Sequence, residues 1–192
     1  MKLLTVILAI NFLFVSAVFA QKDFPTIKPA KTYKQSEVKI VSPNETGWQL
    51  VKSAQLENVF AKVDSDGKYN ASAKTSTINA YENVNDLFEN LEKLKQEEIS
   101  RLNRDSLHFN RTNFKEVPCL QYDGIFNNDA RKEANYKYFN LSGYLCQHPT
   151  AKNTLIQIEF SNHSNLRGFS ETANKLSKEF FEKIEFSKVK NK

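Results

Sequence analysis

Residues 116–126, EVPCLQYDGIF, and residues 136–162, YKYFNLSGYLCQHPTAKNTLIQIEFSN, decide the fold. They hold three strand-like runs, 116–126, 136–148 and 154–162, in which apolar and polar residues alternate with a period of two. An antiparallel hairpin of the first two runs sets Leu120 opposite Leu145, Tyr122 opposite Gly143, Gly124 opposite Leu141 and Phe126 opposite Phe139. Every member of that face is apolar or Gly. The turn at Pro149–Lys152 returns the third run, and placing Leu145 opposite Ile156, Gly143 opposite Ile158 and Leu141 opposite Phe160 continues the same face. A one-residue slip would bring Gln121, Asp123 or Gln157 into the apolar row, so the pattern specifies the register.

The first register sets Cys119 directly opposite Cys146. Directly opposed Cβ atoms lie roughly 4.5–5.5 Å apart, closest at a non-hydrogen-bonded pair, and a disulfide needs roughly 3.5–4.5 Å. A Cys119–Cys146 bridge is therefore expected. Its loop of about 27 residues would contribute about 3 kcal/mol in chain-entropy models. The face opposite the apolar row carries Gln121, Asp123, Asn140, Ser142 and Tyr144 around the bridge. Tyr offers contact area at little entropic cost, so Tyr144, Gln121, Asp123 and Asn140 are candidate binding residues. The competing expectation is a solvated or helix-covered sheet face, which antiparallel sheets commonly have.

Two helices flank these strands. Over Asn83–Asn103, Leu87, Phe88, Leu91, Leu94, Ile99 and Leu102 recur at intervals near three and four, and Glu89/Lys93 and Glu97/Arg101 form i,i+4 pairs on the polar side. A second helix starts after Ser170, a good N-cap, and runs to about Lys183 with Ala173, Leu176, Phe180 and Ile184 inward. Before the first helix, Trp48–Lys52 and Val59–Val63 are strand candidates. The Asp64-Ser-Asp-Gly67 cluster turns the chain, and Tyr69, Ala71, Ala73, Thr75 and Thr77 alternate along a third strand. Asp64 and Asp66 do not begin a calcium loop: Gly67 and Thr75 stand where that loop has other requirements, and a hairpin turn fits better.

At the N-terminus, Lys2, the apolar stretch Leu3–Phe14 and Val18-Phe19-Ala20 read as a signal peptide over residues 1–20, cleaved before Gln21. About 170 residues then remain, one domain at about 100–200 residues each. Residues 21–46, with Pro25, Pro29 and Pro43, read as an extended leader or linker, 47–186 as a single domain, and 187–192 as a flexible tail. No later segment reaches transmembrane length.

Composition narrows the function. The formal net charge is +5, and loss of Lys2 lowers it by one. The 22 Lys and 5 Arg are interleaved with 22 acids, whereas a nucleic-acid surface needs a clustered basic stripe. Nucleic acid is not expected as a partner. The Asn-x-Ser/Thr triplets at Asn44, Asn70, Asn110, Asn140 and Asn162 barely exceed chance for this composition and are read as unmodified. No C-x-x-C, G-x-S-x-G, H-E-x-x-H or Gly-rich phosphate motif occurs. Cys146, His148 and His163 would make a thiol nucleophile with a base, since Cys146 and His148 lie two apart on one strand face, but a disulfide would remove the thiolate a nucleophile needs. His108, His148 and His163 have no closely spaced ligand partners, so no metal site and no cofactor is expected.

The segments GWQLVKS (47–53), VNDLFENLEKLKQEEIS (84–100) and LIQIEFSNHS (155–164), in that order, resemble the PsbP-like superfamily over roughly residues 47–186. The superfamily includes extrinsic photosystem II proteins, a Ran-binding nuclear import factor and exported bacterial proteins. YLCQHP (144–149) is similar to a segment of small exported proteobacterial proteins. The resemblance implies an α+β fold, an antiparallel β-sheet flanked by helices in an α/β/α sandwich, and a domain used more often for binding than for catalysis. No functional residue of the superfamily maps onto a position here. The expectation is a periplasmic or secreted, non-catalytic binding or accessory protein with a protein partner or small ligand in the cell envelope or extracellular space. The alternative is an exported hydrolase whose His and carboxylate residues converge only in the fold.

Overall fold

A computed structural model describes residues 24–34, 37–54, 57–128 and 135–187. The signal segment 1–20 and the tail beyond Ser187 lie outside the described residues. In chain order the elements are β1 (Thr32–Lys34), β2 (Val38–Val41), β3 (Gln49–Ala54), β4 (Glu57–Asp64), β5 (Gly67–Thr77), α1 (Val84–Ile99), β6 (Arg104–Phe114), β7 (Val117–Asn127), β8 (Tyr138–Gln147), β9 (Thr154–Ser164), α2 (Glu171–Glu182) and β10 (Glu185–Phe186). The fold is α+β. Seven strands form an antiparallel sheet in the order β3-β4-β5-β9-β8-β7-β6, and a small sheet has the order β1-β2-β10. No helix among the described residues is long and apolar enough to cross a membrane.

Local chemistry explains both helix starts. The Asn83 side chain accepts the Asn85 N–H at 2.8 Å, and Ser170 Oγ accepts the Ala173 N–H at 3.1 Å. From there α1 buries Leu87, Phe88, Leu91, Lys95 and Ile99, while α2 buries Ala173, Leu176, Ser177, Phe180 and Phe181. The helices seal different cores. One contains Leu91, Leu120, Tyr122, Phe126, Leu141 and Leu145 beneath α1; the other contains Trp48, Phe60, Tyr69, Ile158, Phe160 and Phe180 beneath α2. Gly143 permits the first core to close, since a Cβ there would lie 2.5 Å from the Tyr122 hydroxyl.

The β7–β8 register is the expected one, with Cys119 opposite Cys146 and Leu120 opposite Leu145. Cys119 and Cys146 form a disulfide, with S–S 2.08 Å and Cα–Cα 4.4 Å. The β8–β9 register differs by one residue: Cys146 pairs with Ile156, Tyr144 with Ile158 and Ser142 with Phe160, so Leu145 faces Gln157 and Gly143 faces Glu159. The expectation that Ile156, Ile158 and Phe160 extend the Leu145 row is thus corrected. The reason is that both faces of the sheet are buried. The apolar row of β9 belongs to the α2 core, and its polar row is acceptable under α1 because Lys95 descends to meet it.

Two further differences concern strands with weak alternation. The described part of the expected 21–46 leader, residues 24–34 and 37–46, is built into the fold instead: Val38 and Ile40 of β2 are fully buried, as part of the α2 core, and β10 pairs with β2 through Glu185/Lys39 and Phe186/Val38. The segment 104–114, which carries no strand expectation, forms β6. Its residues are mostly polar, and Leu107 and Phe109, both half-buried, are its only apolar side chains before Phe114. Pairing with β7 along its length supplies what the side-chain pattern does not.

Candidate functional site

Cross-strand pairing assembles a polar shelf on the α2 side of β6, β7 and β8. One row runs His108, Asp123, Ser142, Phe160; the next runs Asn110, Gln121, Tyr144, Ile158. The Phe160 and Ile158 ends are buried in the α2 core. The His108, Asn110 and Asp123 ends are exposed and Gln121 is half-buried, because β6 and β7 lie at the far end of the sheet from the strands α2 packs on, β5 and β9. Gln121 Nε2 donates to Asp123 Oδ2 at 3.4 Å.

Of the four candidate binding residues, the structure brings Gln121, Asp123 and Tyr144 together and sets Asn140 apart. Tyr144 is half-buried: Phe114 stacks on it at 4.3 Å between ring centroids, and Phe181 of α2 meets it edge-on at 5.2 Å. Burial, then the neighbouring Asp123 charge, raises the Tyr144 hydroxyl pKa, keeping it a neutral donor. Asn140 is only 1% exposed. Its amide N–H groups donate to Asn162 Oδ1 at 3.0 Å, Ser164 Oγ at 3.4 Å and Leu166 O at 3.2 Å, and its Oδ1 accepts the Gly168 N–H at 2.8 Å. Asn140 therefore anchors the 165–169 loop, where Gly168 takes φ +91°. Arg167 of that loop pairs with Asp105 on β6 at 2.7 Å.

Among the residues weighed for hydrolysis, the two cysteines, His148 and His163 have partners of their own, while His108 is exposed. The sulfurs of Cys119 and Cys146 are joined. His148 is fully buried; its Nδ1 accepts the N–H groups of Thr150 and Ala151 at 3.2 and 2.9 Å, which assigns the proton to Nε2, donating to Ser187 O at 3.0 Å. It ties the β8–β9 turn to the chain after β10. His163 stacks on Phe139 at 4.7 Å, and His108 lies on β6 beside Asp123. Among the described residues no group of three or more His, Cys, Asp or Glu could hold a metal ion. A cleft of about 290 Å³ near the start of α1 is lined by residues that include Tyr81, Glu82, Glu116, Gln147 and Lys152.

A charged cluster that carries no expectation from the sequence lies under α1. Lys95, 1% exposed, places Nζ 2.8 Å from Glu159 Oε2, 2.9 Å from Glu98 Oε2 and 4.1 Å from the Tyr122 ring centroid. The Tyr122 hydroxyl donates to Glu159 at 2.9 Å, and Gln157 Nε2 donates to the same carboxylate at 3.2 Å. Burial by itself would lower the Lys95 pKa, but the Glu159 and Glu98 charges outweigh it and raise it. Burial alone would likewise raise the Glu159 pKa, and Lys95 outweighs it and lowers it. Burial beside these carboxylates pushes the Tyr122 hydroxyl well up. The cluster is mutually satisfied, which suits holding α1 on the sheet. Its signal was the interval of four: Lys95 stands midway between Leu91 and Ile99 on the inward stripe.

Compared with known proteins, the sequence matches no protein-family model and no curated relative.

Proposed function

We propose that this is a periplasmic or secreted, non-catalytic binding or accessory protein of PsbP-like α/β/α architecture, acting on a protein partner or small ligand through the polar shelf. The observation that carries this reading is the convergence of Gln121, Asp123 and Tyr144 on a part of the sheet where Asp123 is exposed and Gln121 and Tyr144 are half-buried. The disulfide beside them is consistent with an oxidising compartment. Tyr144 offers a rigid aromatic edge and a neutral hydroxyl, Asp123 an acceptor, and Gln121 both donor and acceptor, a set suited to recognition.

The test is capture from the native envelope fraction by wild type and by a Gln121→Ala/Asp123→Ala variant. These changes avoid the Tyr144 contacts with Phe114 and Phe181, so the fold should persist. The reading expects one partner retained by wild type and lost by the variant, with an unchanged melting temperature. Equal capture by both proteins would remove the shelf from the function. Hydrolytic turnover abolished by His148→Ala or His163→Ala in a folded variant would select the hydrolase alternative.

A further inference from the structure

The two edges of the seven-stranded sheet are finished differently. The β3 edge is bulged between Leu50 and Lys52 and covered: Leu50 N–H donates to Pro25 O at 3.1 Å, Ile27 N–H donates to Trp48 O at 2.9 Å, and Thr26 bridges Gln49. The β6 edge is 11 residues long and contains neither Pro nor Lys. Among the described residues no strand pairs with its outer side. Natural sheets ordinarily block such an edge with Pro, Lys, a bulge or a covering segment. Here the irregularity is confined to Arg104–Ser106, leaving Ser106–Phe114 in continuous register with β7.

The turn between β6 and β7 identifies the outward backbone groups. Lys115 and Glu116 have φ 51° and 65°, as in a two-residue hairpin loop whose flanking pair, here Phe114 and Val117, is mutually hydrogen-bonded. Alternation from that pair aims Ser106, His108, Asn110 and Thr112 at β7, and turns the N–H and C=O groups of Leu107, Phe109, Arg111 and Asn113 outward. Two observations agree with this parity. Pro118, which has no N–H, stands opposite Asn113 at a non-bonded position. Cys119, whose backbone groups then serve Thr112, has its Cα 4.4 Å from that of Cys146, the spacing of a non-hydrogen-bonded pair.

We propose that the outer edge of β6 is a dimerisation edge, pairing antiparallel with β6 of a second copy about a two-fold axis at Asn110. This register engages every outward main-chain group from Leu107 to Asn113, and main-chain hydrogen bonds supply the affinity of strand addition. It sets Phe109 opposite Arg111 of the second copy, His108 opposite Thr112 and Asn110 opposite Asn110, with no like charges opposed. Moving the axis to Arg111 would oppose two guanidinium groups. Moving it to Phe109 would set Leu107 against Arg111 and Asn113 against Asp105, the residue skipped in the register with β7. A second copy is the occupant this edge fits because the strand is complementary to itself in that register. His108 and Asn110 also belong to the polar shelf, so the pairing joins two shelves across the axis. The inference rests on the edge alone and stands whether or not the shelf binds a partner.

Sedimentation equilibrium of the purified, oxidised protein tests it. Wild type should sediment at twice the chain mass, and Asn110→Lys, which opposes two ammonium groups at the axis while changing an exposed side chain, should weaken dimerisation at least about tenfold while its circular dichroism shows the fold intact. Asn110→Cys should crosslink spontaneously, because opposed Cα atoms at a non-hydrogen-bonded pair are about 4.5 Å apart, within the disulfide range of about 4.4–6.8 Å. His108→Cys should not crosslink, since its counterpart lies four residues along the strand, about 14 Å away at roughly 3.4 Å per residue. A monomer at the highest attainable concentration, an Asn110→Lys dimer of unchanged affinity, or crosslinking at His108 in place of Asn110 would each overturn the proposal.

Discussion

Beneath α1 the sheet buries a lysine against two glutamates; beneath α2 it buries aromatic rings and a disulfide. Both cores exclude water, but they depend on their parts differently. In the α2 core, Phe160, Phe180 and Ile158 make many small non-directional contacts, so losing one atom group leaves the others in place. In the α1 core, Lys95, Glu159, Tyr122 and Gln157 satisfy one another, and removing any partner strands a buried polar atom or charge.

The largest effect should come from breaking the charged face on one side. Lys95→Ala is expected to cost about 3–5 kcal/mol, the usual result of orphaning one member of a buried pair. Urea denaturation measures it, and the double variant Lys95→Met/Glu159→Gln should cost less than the two single changes added, a coupling read by a double-mutant cycle. If the single and double effects simply add, the face is held by packing, like the other one.

The disulfide tests the α2 side. Replacing Cys119 and Cys146 together with Ser should lower stability by about 3 kcal/mol, the chain-entropy value for a loop of this length. Thiol titration of the denatured, unreduced wild type should find no free thiol.

A smaller effect should appear with pH through the α1 face. Glu159 has its pKa lowered in the folded protein, so its stabilisation is present above the unfolded carboxylate value of about 4.3 and is lost as pH falls through the lower folded value. Lys95 has its pKa raised, so its contribution is present below about 10.4 and is lost as pH rises through the higher folded value. The difference in stability between wild type and Lys95→Met/Glu159→Gln should therefore be flat at neutral pH and change at both extremes. The smallest effect belongs to the shelf: Gln121→Ala should shift stability by no more than about 0.5 kcal/mol, as expected of a surface side chain.

How much of this was legible depended on whether one physical signal acted alone. The β7–β8 register followed from Leu120, Tyr122, Gly124 and Phe126 alternating against Phe139, Leu141, Gly143 and Leu145, and the bridge followed from the register. The Ser170 cap marked the start of α2 because capping is local, and α1 followed from the spacing of Leu87, Leu91 and Ile99. The β9 strand misled because Ile156, Ile158 and Phe160 could be assigned to either buried face, and only Lys95 on a remote helix makes Gln157 and Glu159 the row under α1. Asn140 and Tyr144 read as surface groups by parity on one strand. Their covers, the 165–169 loop and the Phe114 and Phe181 rings, come from elsewhere in the chain.

The sequence by itself determined the α+β class, both helices, the β7–β8 pairing and the Cys119–Cys146 bridge, because each rests on short-range periodicity or on two adjacent strands whose side chains must agree. Only the tertiary structure decided that Ile27, Val38 and Ile40 join the core, that β6 forms one edge of the sheet, which face β9 gives to α1, and that Lys95 is buried. Those outcomes depend on partners many residues away, and an alternating strand or a lysine in a helix carries no local mark of which distant surface will cover it.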